Sequence, residues 1–249
     1  MLEEPHKSFQ IFQPDAPSRW LITCDHASNA VPAAVGGGSL GISAEDMARH
    51  IAYDVGAAGV AQALAAQLQA PAIFSAYSRL VIDPNRGEDD PTLVMKLYDG
   101  TIIPANRHVD AAEVERRLAA YHRPYHRALA GLAAARADRV ICAIHSFTPC
   151  LRGRAPRPWH LGILHSHKDS RLALPLIERL RAEGYPTGDN EPYNGHLDGD
   201  AIDRHGLQAG RPNVLIELRS DLIANPKDQA LWAGRLAPIL TEVLSATGL

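Results

Sequence analysis

The sequence predicts an α/β fold in which helices cover both sides of a mostly parallel sheet. Short apolar runs of strand length alternate with longer helical segments along the 249 residues, and no linker rich in Gly, Pro or Ser separates them. Two of the apolar runs also end in a histidine, as strands of open α/β sheets do where they deliver side chains to a site. We therefore expect a single domain over residues 1–249.

The first half of the chain predicts a buried strand, a long helix and a second strand. Residues 20–25 form an apolar run, and Ser43 is placed to cap an alanine-rich helix that reaches about Gln69. A strand over residues 72–77 follows, and then a short apolar segment over 78–83. The polar stretch from Pro84 to about Arg107 is a loop of a length that is usually functional.

The second half continues the alternation of helices and strands. Its predicted elements are a helix from Asp110 to Arg136, strands over 140–145 and 159–164, a helix from Asp169 to about Arg181, a strand over 214–218 and a C-terminal helix from Lys227.

His26 and His145 are the most informative residues, because each follows a buried apolar strand. The crevice beyond the carboxyl ends of parallel strands is where α/β proteins bind ligands, so the two histidines predict one shared site. A divalent metal ion, most simply zinc, is a good reason to bring two imidazoles together. The alternative is that each histidine only binds a neighbouring loop through a hydrogen bond.

A third metal ligand should be a carboxylate, since two histidines and one acid leave an open position on zinc. Asp54 is our candidate, because it lies within an apolar stretch predicted to be helical, where an unpaired charge is costly. A buried salt bridge is the alternative for this residue. Asp25 adjoins His26 but should point to the opposite face of the strand, and Asn29 offers only a weaker amide oxygen.

Two further groups of polar residues are candidates for the same site. Glu217 interrupts a buried apolar strand, where a carboxyl group needs a partner or a catalytic role such as that of general base; pairing with Arg219 is the alternative. Arg79, Asn85 and Arg86 lie on either side of a short apolar strand within residues 77–86, and their side chains could bind a substrate carboxylate. A solvated face with surface ion pairs would explain these three equally well.

Several segments together give the sequence a family resemblance. They are Asp25-His26-Ala27-Ser28, Asp54-Val55-Gly56-Ala57, Tyr77-Ser78-Arg79, Asp83-Pro84-Asn85-Arg86, Ile144-His145-Ser146, Gly188-Asp189-Asn190-Glu191-Pro192-Tyr193 and Ile216-Glu217-Leu218-Arg219. In this order they resemble the N-formylglutamate amidohydrolase family, which is similar in fold to zinc carboxypeptidases and aspartoacylase. The resemblance implies a three-layer α/β/α domain around a mixed central sheet.

The resemblance also implies an activity, the metal-dependent hydrolysis of an N-formyl or other N-acyl amino acid, such as N-formyl-L-glutamate, to the free amino acid and formate. It places His26 and His145 as metal ligands and Asn85 and Arg86 at the substrate carboxylate. It places Glu217 as general acid and base. The Arg204-His205-Gly206 segment adds His205 as a residue on the substrate side. Carboxypeptidases have a glutamate three residues after the first histidine, where this chain has Asn29.

Two other functions stay open at this level. A non-catalytic protein that binds or senses a small acid could keep the arginines while its metal site has decayed. A Ser-His-Asp hydrolase could use Ser28, Ser78 or Ser146, although the chain has no Gly-x-Ser-x-Gly motif.

Composition argues against several classes of partner. The formal net charge of −3 and the scattered arginines give no basis for binding nucleic acid or an anionic membrane. The three cysteines form no metal-binding or disulfide pattern, and we find neither a signal peptide nor an apolar run of spanning length. We expect a cytoplasmic enzyme with a small acidic N-acyl amino acid as substrate; a homo-oligomer is possible.

Overall fold

The computed structural model describes residues 8–249 and contains a seven-stranded mixed sheet in the order β1-β3-β2-β6-β9-β7-β8. Strands β3, β2, β6 and β9 are parallel to one another. Strand β1 at one edge, and β7 and β8 at the other, run in the opposite direction. The sheet strands are β1 Phe9–Phe12, β2 Trp20–Cys24, β3 Ala72–Ser75, β6 Val140–Phe147, β7 Leu161–Leu164, β8 Thr187–Asp189 and β9 Asn213–Arg219. A separate hairpin consists of β4 Leu97–Tyr98 and β5 Thr101–Ile102.

Helices pack on both faces of the sheet, so the predicted three-layer α/β/α class with a mixed, mostly parallel sheet is confirmed. Alternate strand residues such as Ile22 and Ile144 face one layer, formed by helices α2, α5 and α7. The intervening residues, such as Leu21 and Ile141, face α4 and α6. The helices are α1 Ala44–Met47, α2 Ala57–Gln67, α3 Ala111–Arg117, α4 Arg123–Ala134, α5 Ala173–Ala182, α6 Ala201–His205 and α7 Pro226–Thr247.

The prediction of one continuous helix from Ser43 to Gln69 is wrong. Ser43 does cap a helix, but α1 ends at Met47, and α2 begins only at Ala57. Gly56, the residue before α2, has φ +82°, and a Cβ atom there would lie 2.3 Å from the carbonyl oxygen of Ile223. Glycine tolerates this conformation and this contact, and a residue with a Cβ atom would not. Since a positive φ is incompatible with a right-handed helix, a helix cannot continue through Gly56.

Other predicted boundaries differ less. Residues 78–83, the short apolar segment, form turns, and the loop predicted after Pro84 contains the β4–β5 hairpin. The helix predicted from Asp110 to Arg136 consists of α3 and α4, which a π-helical turn over Leu118–His122 joins. The helix predicted from Asp169 begins at Ala173. The short elements β1, β8 and α6 were not predicted, because three to five residues carry too little periodicity.

Of the helices in residues 8–249, none combines the length and the apolar character that crossing a membrane requires.

Candidate functional site

The predicted site residues meet at the carboxyl ends of three neighbouring parallel strands. His26 lies two residues beyond β2, His145 lies near the end of β6, and Glu217 lies near the end of β9. His145 and Glu217 are partners in the β6–β9 register and share a face with Ala143 and Leu215, which pack against α6. The site therefore lies on the side of the sheet that α4 and α6 cover.

His26, Asp54 and His145 form a buried group whose ligand atoms all lie within 4.8 Å of one another. Oδ2 of Asp54 is 2.8 Å from Nδ1 of His145 and 3.4 Å from Nδ1 of His26. Both imidazoles thus present the same ring nitrogen to one carboxylate. Two imidazole nitrogens and a carboxylate oxygen are a donor set that zinc accepts, so this group could hold a divalent metal ion.

The loop between α1 and α2 carries Asp54, so our reason for selecting this residue, a charge within an apolar helix, is wrong. Its backbone N–H donates to the carbonyl of His26 at 2.9 Å, which attaches the loop to the end of β2. Oδ2 of Asp54 also accepts a hydrogen bond from the backbone N–H of Ser146 at 3.2 Å. Asn29, in contrast, is exposed and donates its amide N–H to the carbonyl of Met47 at 2.9 Å.

Each of the two histidines has a second carboxylate on its other ring nitrogen. Nε2 of His26 lies 2.7 Å from Oδ1 of Asp83, and Nε2 of His145 lies 3.3 Å from Oδ2 of Asp25. Such carboxylates hold the proton on Nε2 and leave Nδ1 free to bind a metal. Sequence reasoning missed both partners; Asp83 lies 57 residues from His26, and Asp25 lies 120 residues from His145.

The network of buried charges shifts the pKa values of its members. Burial raises the pKa of Asp25, but hydrogen bonds from His145 and Tyr125 outweigh burial and leave the pKa below its ordinary value. Burial lowers the pKa of His145, yet its hydrogen bonds to Asp25 and Asp54 hold that pKa well above its ordinary value. The pKa of Asp54 is likewise lowered, against the effect of burial, by both histidines. The two carboxylates on either side of the His145 ring thus favour its charged form.

Glu217 is the buried carboxyl group without an assigned partner. Within residues 8–249 its Oε2 has no hydrogen-bond partner, and the alternative of a pair with Arg219 is not formed, since Arg219 binds Asp221 instead. Burial raises the pKa of Glu217 to about 7. A buried carboxyl group that ionises near neutral pH and faces a cavity is suited to proton transfer.

The site opens into a cavity of about 310 Å³, and Arg79, Asn85 and Arg86 line it together with the histidines and Glu217. Arg79 donates to Oδ2 of Asp83 from Nε (3.2 Å) and Nη2 (2.8 Å). Arg86 donates to Oγ1 of Thr92 at 3.1 Å and to the backbone carbonyl of Asn85 at 2.8 Å. Oδ1 of Asn85 accepts a hydrogen bond from the backbone N–H of Ala201 at 3.2 Å, which leaves its NH₂ group toward the cavity.

His205 lies outside the lining of this cavity and contacts His126, with 2.9 Å between its Nε2 and Nδ1 of His126. Nε2 of His126 lies 2.9 Å from the carbonyl oxygen of Pro84, which can only accept. His126 therefore carries its proton on Nε2, and His205 donates to it. Nε2 of the neighbouring His122 similarly donates to the carbonyl oxygen of Arg86 at 3.0 Å, so these histidines hold the loop that carries Asn85 and Arg86.

Among the hydrogen bonds of residues 8–249, none joins the candidate serines Ser28, Ser78 and Ser146 to a histidine. The hydroxyl of Ser28 accepts a hydrogen bond from the backbone N–H of Ala30 at 3.1 Å. The hydroxyl of Ser78 donates to the carbonyl of Ala52 at 2.7 Å, and the hydroxyl of Ser146 donates to that of Val55 at 2.8 Å. Both hydroxyls thus support the loop around Asp54 rather than a catalytic histidine.

Asp200 and the loop before it complete the cavity. Sequence reasoning missed Asp200, and it noted the start of the loop, up to Tyr193, only as part of a resembling segment. Asp200 caps α6 through the backbone N–H of Asp203 at 2.7 Å, and burial raises the pKa of Asp200 to about 7. Residues 190–200 form a wall over β7, where Oδ1 of Asn190 accepts hydrogen bonds from the backbone N–H groups of His165 and Gly195. An Asp before a short helix resembles any N-cap, so no sequence signal distinguished this residue.

The fold and the site define a hydrolase that acts on amides. Residues 18–224 match the family model described as N-formylglutamate amidohydrolase, and the chain belongs to this family. The family predicted from the sequence is thereby confirmed. No match was found among curated proteins.

The solved structures that are similar to this chain include the following two. The gene product Atu2144 from Agrobacterium tumefaciens is 34% identical, with a TM-score of 0.91 over 98% of this chain and 97% of that chain. The N-formylglutamate amidohydrolase from Ralstonia eutropha JMP134 is 22% identical, with a TM-score of 0.71 over 95% of this chain and 99% of that chain. At that identity, the second structure shows a shared fold.

Proposed function

We propose that the protein is a metal-dependent amidohydrolase that cleaves an N-formyl or other N-acyl amino acid, of which N-formyl-L-glutamate is the one in the family name. The observation that carries the proposal is the buried group of two imidazole nitrogens and one carboxylate oxygen beside the unpartnered carboxyl of Glu217. A small acidic molecule is the partner that the cavity would bind.

His26, Asp54 and His145 would hold the metal ion, most simply zinc. The fit rests on the donor set, on the shared orientation of the two Nδ1 atoms, and on the carboxylates of Asp83 and Asp25 behind the two rings. When bound, zinc lowers the pKa of water and polarises an acyl carbonyl group.

Glu217 would act as general base and then as general acid. Its carboxylate takes a proton from the attacking water and passes it to the nitrogen that leaves as the amine of the amino acid. Its position in β9, opposite His145 in the register, fixes the carboxyl group on a strand rather than on a mobile loop.

Asn85 and Arg86 would bind the substrate carboxylate, because both line the cavity and Asn85 keeps free amide donors there. Arg79 also faces the cavity, but Asp83 and Asp54 already engage its guanidinium, so we give it a supporting role. His205 would act indirectly, through His126 and the loop that carries Asn85.

The metal content of the purified protein tests this proposal. We expect about one zinc or similar ion per chain, loss of activity on chelation, and loss of both metal and activity in His26→Ala and His145→Ala. His108→Ala, which changes an exposed histidine, is the matched control and should keep both. Full hydrolysis of an N-formyl amino acid by the His26→Ala, His145→Ala double variant would show that the mechanism is wrong.

A further inference from the structure

The cavity has two chemically different walls. The catalytic wall carries His26, Asp54, His145 and Glu217. The rest of the lining includes six large apolar or aromatic side chains: Tyr98, Phe147, Leu164, Tyr193, Leu197 and Leu215. The cavity volume of about 310 Å³ suits a single small molecule, so an N-acyl amino acid bound there would touch both walls.

The apolar wall is a consequence of the strand order. Leu215 lies two residues before Glu217 on the same face of β9, and Leu164 of β7 is its partner in the register. The loop over residues 190–200 approaches β7 closely, and the absence of a side chain at Gly162 permits this approach. A Cβ atom at Gly162 would lie 1.9 Å from the carbonyl oxygen of Glu191. This approach brings Tyr193 and Leu197 over the cavity.

Two of the wall residues are exposed although they are large and apolar. Tyr193 is 40% exposed and Leu197 is 39% exposed, and both lie in the loop over residues 190–200. Covering such side chains with an apolar group removes their surface from water and favours binding. A carboxylate placed against Leu197 would lose hydration without gaining a partner from that side chain.

The cations that line the cavity are too few for a substrate with two carboxylates. Arg79 and Arg86 are the two arginines in its lining, and Asp83 holds Arg79 in an ion pair of 2.8 Å. His50 is the remaining basic candidate outside the catalytic group, and burial lowers its pKa, which favours its neutral form. Arg86 has only a looser contact with Asp90, at 3.9 Å, so it is the cation available for the α-carboxylate. Arg157 lies behind the wall, where it donates to the hydroxyl of Tyr193 at 3.1 Å and covers the rings of Tyr193 and Phe147, and it is not part of the lining.

We propose that the substrate's amino-acid side chain is apolar and bulky, of the leucine, methionine or phenylalanine type, and is not the carboxylate side chain of glutamate. This inference rests on the proposed function. In it, the acyl group lies against the catalytic wall, Asn85 and Arg86 hold the α-carboxylate, and the side chain packs on Leu164, Leu197 and Leu215.

Comparison of kcat/KM for N-formylmethionine, N-formylleucine and N-formylglutamate tests the inference. Methionine and glutamate side chains are similar in length, so this pair isolates the effect of the charge. We expect a preference for the apolar substrates of at least about tenfold. Equal or better hydrolysis of N-formylglutamate would overturn the inference.

Variants of Leu197 extend the test without disturbing the core, because this side chain is 39% exposed. Leu197→Ser should reduce the preference for N-formylleucine, and Leu197→Arg should shift it toward N-formylglutamate. Leu174→Ser is the matched control, since Leu174 is similarly exposed (44%) but lies on α5, outside the cavity. If neither Leu197 variant changes the preference, the side chain of the substrate binds elsewhere and the inference is refuted.

N-formylglycine, which has no side chain, separates the two proposals. If it is hydrolysed but no preference appears among the larger substrates, the proposed function holds and the inference on the side chain fails. If no N-formyl amino acid is hydrolysed, the proposed function fails. Calorimetric binding of N-formylleucine and N-formylglutamate to Glu217→Gln then decides the inference: tighter binding of the leucine compound supports it, and any other result overturns it.

Discussion

The carboxylate of Asp25 offers a sensitive test of the site, because it touches no metal ligand atom and yet fixes the proton on His145. Asp25 is fully buried and accepts hydrogen bonds from the hydroxyl of Tyr125 and from Nε2 of His145, at 3.3 Å. In Asp25→Asn, one carboxylate oxygen becomes an NH₂ group. The remaining oxygen stays with Tyr125, so the NH₂ group faces the ring of His145.

The expected effect follows from this exchange of acceptor for donor. An NH₂ group can donate to Nε2 only if the neutral ring carries its proton on Nδ1, the atom that faces Asp54 at 2.8 Å. That proton occupies the position that a metal ion needs. Loss of a hydrogen-bond partner behind a ligating histidine weakens metal binding by about 10- to 100-fold, or about 1.4 to 2.7 kcal/mol.

Competition with a chromophoric zinc chelator at pH 7 measures this effect. Tyr125→Phe is the closest control, because it removes one hydrogen bond to Asp25 but leaves the carboxylate beside His145; its zinc Kd should change much less. Asp138→Asn, at an exposed ion pair with Arg136, should leave the Kd unchanged. A zinc Kd for Asp25→Asn equal to that of the unmodified protein would refute the reasoning about the tautomer.

Three further predictions concern other parts of the molecule. Glu217→Gln should lower kcat by about 10²- to 10⁴-fold while zinc content stays the same, and normal turnover by this variant would exclude the general-base role. Burial lowers the pKa of His126 to about 2 and of His205 to about 4, so the unfolded chain binds more protons below pH 6.5. Stability should therefore fall as the pH drops from 6.5 toward 4, by about 1.4 kcal/mol per pH unit for each histidine, and urea titrations of His126→Gln should show a shallower dependence. Gly56→Ala should destabilise the fold by about 1–3 kcal/mol, because φ is +82° and the new Cβ would meet the carbonyl oxygen of Ile223; an unchanged urea midpoint would contradict this.

The strands that carry the site could be predicted because they are buried on both faces. β2, β6 and β9 are almost continuous apolar runs, and a polar residue at the end of such a run is conspicuous. His26, His145 and Glu217 were found in this way. The register between β6 and β9 then places His145 beside Glu217.

The loops could not be predicted in the same way, and Asp54 shows why. The alanine-rich stretch after Ser43 has high helix propensity, but the left-handed backbone at Gly56 interrupts it where the chain must pass Ile223. Sequence reasoning thus selected a residue of the metal-competent group for a reason that the structure contradicts. What places Asp54 is its hydrogen bonds to His26, His145 and Ser146, and these depend on tertiary contacts.

Partners distant along the chain had no local signal either. Asp83 was noted only as part of a resembling segment, and its contact with His26 forms only when the end of β2 and the turns after β3 come together. His205 was selected by resemblance alone, and its contact with His126 is an arrangement that no spacing in the sequence reveals.

The reversal of direction between β9 and β7 divides the protein into two parts that could change independently. The groups suited to chemistry lie at the ends of parallel strands, whereas the opposite wall includes a loop of about a dozen residues laid over β7, which runs antiparallel to β9. Exchange of residues 190–200 between members of the family would leave every strand, His26 and His145 in place. Such chimaeras would take from the donor the part of their substrate choice that Tyr193 and Leu197 determine, and would keep the reaction of the recipient.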